Sequence, residues 1–211
     1  MTPDRCVRQV FTAWGNDGSN DDWWAMREPY LSAVRSALVN RSRLLPYRYT
    51  AAATAHGTGR CPVVPMYRAW AHEADAYNAG GQYMLGPDVI VAPVFAAAAA
   101  AAGVVPVSVW LPPGDAWVDF NNPRVVTPGG GWVSYDAGVD VVPVFVRGGA
   151  VITMLPLNVS AAMGTAARAY AALEFVVYPG GGGAGGAAVY EVLADAARVA
   201  RVWAGGVCTG A

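Results

Sequence analysis

At 211 residues the chain has room for one large domain or two small ones. It is 55% hydrophobic and only 14% charged, so apolar material for a core is plentiful and much of the surface must be apolar or small. A net charge of −1 with no basic tract excludes electrostatic recruitment to nucleic acid or to an anionic membrane.

The start, MTPDRCVRQVF, has no apolar core of signal-peptide length, so no export signal is expected there. Asn16 to Asp22 is a loop by composition, and Trp14, Trp23 and Trp24 surround it. These indoles either anchor the loop on the domain body or offer flat faces on which a sugar ring can stack; they are the candidate substrate-binding residues. Asp17, Asp21 and Asp22 sit in the same loop, but their spacing matches no calcium loop, and neither a metal nor a cofactor is expected.

Glu28-Pro29-Tyr30 opens a helix, with an anion where the macrodipole favours one and a proline where the first turn tolerates it. Leu31, Val34, Leu38 and Leu45 are roughly helically spaced, while Arg35, Asn40, Arg41 and Arg43 mark a solvated or ion-paired face. Pro46 should kink or split the helix. Thr50 to His56 continues it to Gly57 and Gly59, which can supply a left-handed cap.

Cys61 to Tyr67 reads as a short strand, Ala74 to Leu85 as a loop followed by a helical turn, and Gly86-Pro87-Asp88 as a turn. Val89 to Val94 is a buried strand by its unbroken apolar run. The uncharged stretch from Val89 to Leu111 is interrupted by Pro93, Gly103 and Pro106, and its middle is alanine, so it reads as two strands joined by an alanine-rich segment rather than a membrane span.

From Val107 onward short strands alternate with turns: Val107 to Leu111, Ala116 to Phe120, Trp132 to Tyr135, Val141 to Val146 and Ala150 to Met154, with Asn121 to Gly131 a loop. Three more follow at Leu173 to Tyr178, Ala187 to Leu193 and Arg198 to Trp203, with Gly180 to Gly186 as a hairpin loop between the first two. Many short strands with turns about every ten residues argue for an antiparallel sandwich or half of one.

Cys6, Cys61 and Cys208 are odd in number and far apart, which gives no disulfide framework and no zinc site; they read as buried thiols, with a Cys6–Cys61 bond open to an oxidising compartment. Asn40-Arg41-Ser42 and Asn158-Val159-Ser160 are glycosylation triplets that matter only in a secreted protein. His56 and His72 read as surface or capping residues. Asp88, Asp115, Asp136 and Asp140 lie in turns, where no barrel strand end would place them as a catalytic pair.

Several segments in order resemble one family. LLPYRYT at 44–50, QYMLGPD at 82–88, VAPV at 91–94, VWLPPG at 109–114 followed by Trp117 and Asp119-Phe120, and PVFVRGGAVI at 143–152 are similar to successive motifs of glycoside hydrolase family 31, the α-glucosidase family. Tyr178-Pro179-Gly180 and Tyr190-Glu191 resemble the strand pair that closes its C-terminal module. The order and spacing run from about residue 7 to about residue 203. Two positions depart from the pattern: Val64-Pro65 stands where the family has Arg-Pro, and Tyr190-Glu191-Val192-Leu193-Ala194 where it has an acidic run.

The resemblance implies an α+β chain: the last helix and strand elements of a (β/α)8 barrel followed by an antiparallel β-sandwich. It implies residues 1–87 as the end of the barrel, 88–157 as the proximal sandwich and 158–211 as part of a distal β module. The family's reaction is retaining hydrolysis of α-glycosidic bonds, which needs two carboxyl groups roughly 5 Å apart. The family's segments that carry them, like W-x-D-M-N-E and G-D-N, are not in this sequence, nor is the R-x-H segment whose histidine contacts the sugar. The expectation is therefore a C-terminal part of an α-glucosidase, without catalytic residues and inactive alone, whose partner in the whole enzyme is a carbohydrate. The alternative is a stand-alone carbohydrate-binding or interaction module derived from such an enzyme.

Overall fold

The computed structural model describes residues 28–95, 103–157, 172–178, 188–193 and 199–204, the last two as backbone pairing. Two 14-residue helices come first, α1 at Tyr30–Arg43 and α2 at Leu45–Thr58. The Glu28 carboxylate accepts a 3.2 Å hydrogen bond from Ser32 N in the first turn of α1. The split falls at Leu44, because Pro46 has no N–H to donate back and is tolerated only in the first turn of a new helix. Gly59, at φ 71°, caps α2 through its N–H to Ala55 O at 2.8 Å, as the sequence suggests.

The strands that follow are β1 (Val63–Pro65), β2 (Tyr83–Leu85) and β3 (Val89–Val91), with two helical turns, α3 (Met66–Ala69) and α4 (Ala74–Asn78), between the first two. Then come β4 (Val104–Leu111), β5 (Ala116–Asp119), β6 (Val126–Pro128), β7 (Gly131–Gly138), β8 (Val144–Arg147), β9 (Val151–Met154), β10 (Glu174–Val177), β11 (Ala188–Leu193) and β12 (Val199–Ala204). Every pairing among them is antiparallel. The α+β expectation holds at that level.

One six-stranded sheet, in the order β1-β2-β3-β8-β5-β6, positions everything else. Strand side chains alternate between faces. Met84, Ile90, Trp117 and Phe145 point to one core, shared with Val109 and Leu111 of the β4–β7 ribbon. Val89, Val91, Val118 and Val146 point to the other, shared with Ile152 and Met154 of β9, Tyr178, and Tyr47 of α2. Burial on both faces is why β3 and β8 read as unbroken apolar runs rather than alternating ones.

Several local expectations are corrected. Cys61 to Tyr67 holds only the three-residue β1 before the chain turns into α3. Between Ala74 and Leu85 the order is reversed: the helical turn comes first, and the stretch ends in β2, which adds to β3 with Met84 opposite Ile90. The 121–131 loop contains β6, whose Val126 pairs with Val118. The glycine run at 180–186 lies outside the described residues, and among those described β10 and β11 do not pair with each other as a hairpin would. β10 instead pairs with β9, Val177 opposite Val151, and β11 pairs with β12. β10 is held there by an ion pair of 2.8 Å between Glu174 and Arg43, itself beside β9 through Leu155 N to Arg43 O at 2.7 Å. The turn at residues 86–88 joins two paired strands, β2 and β3.

Candidate functional site

A cleft of about 1110 Å³ lies between α2 and the adjoining edge of the sheet, walled by Tyr47, Arg60, Arg68, Trp70, Asp88 and Arg147 among others. Its closed end is a knot of four chain segments. Tyr47 on α2 is buried, and its hydroxyl donates to Leu85 O at 2.8 Å and accepts from Asp88 N at 3.3 Å. Burial, with the Asp88 charge adding to it, pushes the Tyr47 phenol far above its ordinary range, so it stays a neutral donor.

Arg147, at the end of β8, gathers the rest. Its backbone N–H donates to Asp88 O at 2.8 Å and its Nη2 to Pro87 O at 3.1 Å. Its Nε lies 3.6 Å from Asp115 Oδ2 and 3.9 Å from Asp88 Oδ1. The guanidinium carbon sits 5.8 Å from the centre of the Trp117 ring, within cation–π range. Burial raises the Asp88 carboxyl above its usual range; Arg147 opposes that rise and Asp115 adds to it. Two carboxylates therefore converge on a single cation, which offsets only one of their two charges when both are ionised. That arrangement ties turns 86–88 and 113–115 to β8.

The family-like motifs meet one another in the same way. Gln82, buried, brackets the backbone of Trp110: its Nε2 donates to Trp110 O at 2.7 Å and its Oε1 accepts from Trp110 N at 2.8 Å. Trp117 Nε1 donates to Pro112 O at 3.0 Å. Trp70 closes the core above them, edge-on to Trp110 at 6.1 Å and to Trp117 at 6.3 Å. Asp119, buried, accepts from Asn121 N at 2.8 Å. The motif residues hold the fold together.

Trp14, Trp23 and Trp24 lie outside the described residues, as do Asp17, Asp21, Asp22, Cys6, Cys208 and the triplet at Asn158. Cys61 is a free, exposed thiol rather than a buried one. His56 is exposed in the last turn of α2, and His72 is exposed in the turn after α3. Asp136 and Asp140 are exposed near the end of β7 and do not join Asp88 and Asp115. Among the described residues no group of three or more His, Cys, Asp or Glu side chains could hold a metal ion, and no helix is long and apolar enough to cross a membrane. Sequence reasoning missed Gln82 and Arg147 as organisers, because each acts on a backbone group distant in the chain.

Residues 59–152 match the glycosyl hydrolase family 31 C-terminal domain. The chain is 38% identical over 149 residues to an isomaltosyltransferase of Sporosarcina globispora, covering 66% of this chain and 12% of that protein. It is 28% identical over 160 residues to an alpha-xylosidase of Saccharolobus solfataricus, covering 76% of this chain and 20% of that one. The solved cycloalternan-forming enzyme of Listeria monocytogenes, in complex with a pentasaccharide substrate, superposes with a TM-score of 0.71 at 27% identity, over 95% of this chain and 20% of its own. The chain thus spans between 12% and 20% of the length of these proteins.

Proposed function

Since the chain belongs to glycoside hydrolase family 31 and corresponds to a C-terminal portion of it, we propose that it is the C-terminal part of a retaining α-glycosidase, acting as structural support for a catalytic barrel and not as a catalyst by itself. In this reading α1 and α2 belong to the closing segment of a (β/α)8 barrel, and the sheets form the β-sandwich behind it. We put the division near residue 59, where the matched domain begins, because β1 and β2 are hydrogen-bonded into the same sheet as β3. Residues 158–211 then form part of a distal module.

The observation that carries the proposal is the uncovered side of the helices. α1 buries none of its 14 residues. Tyr30, Tyr49, Val63 and Tyr67 stay exposed on α1, α2, β1 and α3. A helix with an apolar stripe needs a second layer to cover it, and apolar surface left open marks a missing neighbour. Asp88 and Asp115 both lie against the Arg147 guanidinium and tie two turns to β8, which supports the second half of the proposal, since a retaining pair has to flank a substrate at roughly 5 Å. The relatives named above differ in activity while sharing this portion, which supports placing the choice of reaction elsewhere in the protein.

The test is an assay of the 211-residue chain on a nitrophenyl α-glucoside, alone and joined to the coding sequence upstream. The expected result is no turnover alone and turnover once a segment like W-x-D-M-N-E is present. Turnover by the chain alone that a substitution within it abolishes would overturn the proposal. A stop codon immediately upstream of Met1 would favour a stand-alone carbohydrate-binding module.

A further inference from the structure

A second hollow, of about 270 Å³, lies on the β4–β7 ribbon, between β4, the loop after α4 and residues 92–95. Alternation along β4 turns Pro106 and Ser108 to one face, and Trp132, directly opposite Trp110 in the ladder, shares that face. Phe95 forms the facing wall, its ring 3.6 Å from where a Cβ on Gly81 would stand. Both rings are open to solvent, Phe95 at 69% and Trp132 at 42%. Among the described residues no ionisable side chain lines the groove. The Asn78 amide and Ser108 hydroxyl on its walls make no side-chain hydrogen bond among the described residues.

These features select a ligand chemistry. The volume lies just under the roughly 300–1,000 Å³ of pockets for drug-sized molecules, so the occupant is about one or two small rings. The uncharged lining offers no counter-charge, so an ionic ligand would lose its hydration without compensation. An alkyl ligand would bury the amide and hydroxyl unpaired. A molecule with one apolar face and a rim of neutral hydroxyls meets all three conditions.

We propose that this groove binds a neutral carbohydrate, a hexopyranose unit lying with its C–H face on Trp132, flanked by Phe95 and hydrogen-bonded to Asn78 and Ser108. The proposal does not rest on the catalytic reading above, since it requires no cleavage and concerns a separate surface. The experiment is calorimetric and ligand-observed NMR titration of the full chain with maltotriose, with tri-galacturonate as the charged control. Saturable binding with a Kd on the order of 1 mM is expected for maltotriose, with none for tri-galacturonate. Trp132→Ala should weaken it at least about tenfold and Trp132→Phe by less than about threefold. No saturable maltotriose binding, equal binding of the charged trimer, or undiminished binding by a Trp132→Ala chain with wild-type circular dichroism would each overturn it. Should Trp132→Ala disturb the fold, Phe95→Ala decides: weakened binding supports the groove, and unchanged binding sinks it.

Discussion

Tyr47 and Gly86 are fitted to each other: a Cβ on Gly86 would stand 2.5 Å from the Tyr47 hydroxyl oxygen and 2.9 Å from the ring carbon that bears it. Gly86 also adopts φ +65°, a conformation that L side chains rarely take. The tyrosine can therefore reach Leu85 O and Asp88 N only because residue 86 has no side chain. Gly86→Ala should cost about 2–4 kcal/mol, combining left-handed strain with the displaced ring. Tyr47→Phe should cost about 1–2 kcal/mol, the lost hydrogen bonds. The two should not add. In the Tyr47→Phe background the closest overlap is gone, so urea titration of the double variant should give less than the sum. Strict additivity would mean that the ring simply moves aside.

Gln82→Ala should be among the costlier polar substitutions. It strips partners from both the N–H and the C=O of Trp110, a buried residue, and leaves a cavity where the amide was. About 2–4 kcal/mol is expected from two orphaned backbone groups. Gln82→Glu probes geometry separately: its carboxylate can accept from Trp110 N but cannot donate to Trp110 O while ionised, so it should recover stability on acidification. A midpoint for Gln82→Ala within about 0.5 kcal/mol of wild type would show that water satisfies Trp110 instead.

How far the chain is legible before folding depends on the range of each interaction. Local signals worked where physics is local: Pro46 splitting the helix, Gly59 capping it, the apolar run of β3. Strands of three residues, such as β2 and β6, give too few positions for a period to emerge. The glycine-rich run after Tyr178 suggested a local hairpin, yet β10 takes β9 as its partner, with Glu174 paired to Arg43, 131 residues away. The knot at Arg147 was hidden for the same reason: its contact with Pro87 O spans 60 positions, and nothing in the string marks Asp88 and Asp115 as neighbours of one cation.

Trp117 carries three roles at once. It is fully buried, it donates to Pro112 O, and its ring lies under Arg147. Trp117→Phe should lose about 2–4 kcal/mol through the cavity and the orphaned carbonyl. The loss of the larger ring should also loosen Arg147, so amide exchange at Gly148, which donates to Ala116 O at 2.7 Å, should quicken more than at Ile90 in the sheet centre. Uniform acceleration at both sites would point to global destabilisation alone.

Asp88 gives the stability a definite dependence on pH. Its carboxyl is raised above the ordinary value, by burial first and Asp115 second, against the pull of Arg147. In the unfolded chain an aspartate titrates near about 3.9. Between that value and the higher folded one, the native state binds more protons at this site than the unfolded state does. The unfolding free energy therefore falls as pH rises through this window, and the site's contribution is flat below and above it. Asp88→Asn removes the titration. The difference in urea midpoint between wild type and Asp88→Asn should consequently shift in favour of the variant from about pH 4 to about pH 7. Asp115, exposed, is the other carboxylate beside the cation, so Asp115→Asn serves as the control. Removing that second negative charge relieves the repulsion and should narrow the window. Arg147→Met removes the opposing cation and should widen it. A pH-independent difference between wild type and Asp88→Asn would mean that Asp88 titrates alike in both states and that Arg147 offsets its burial in full.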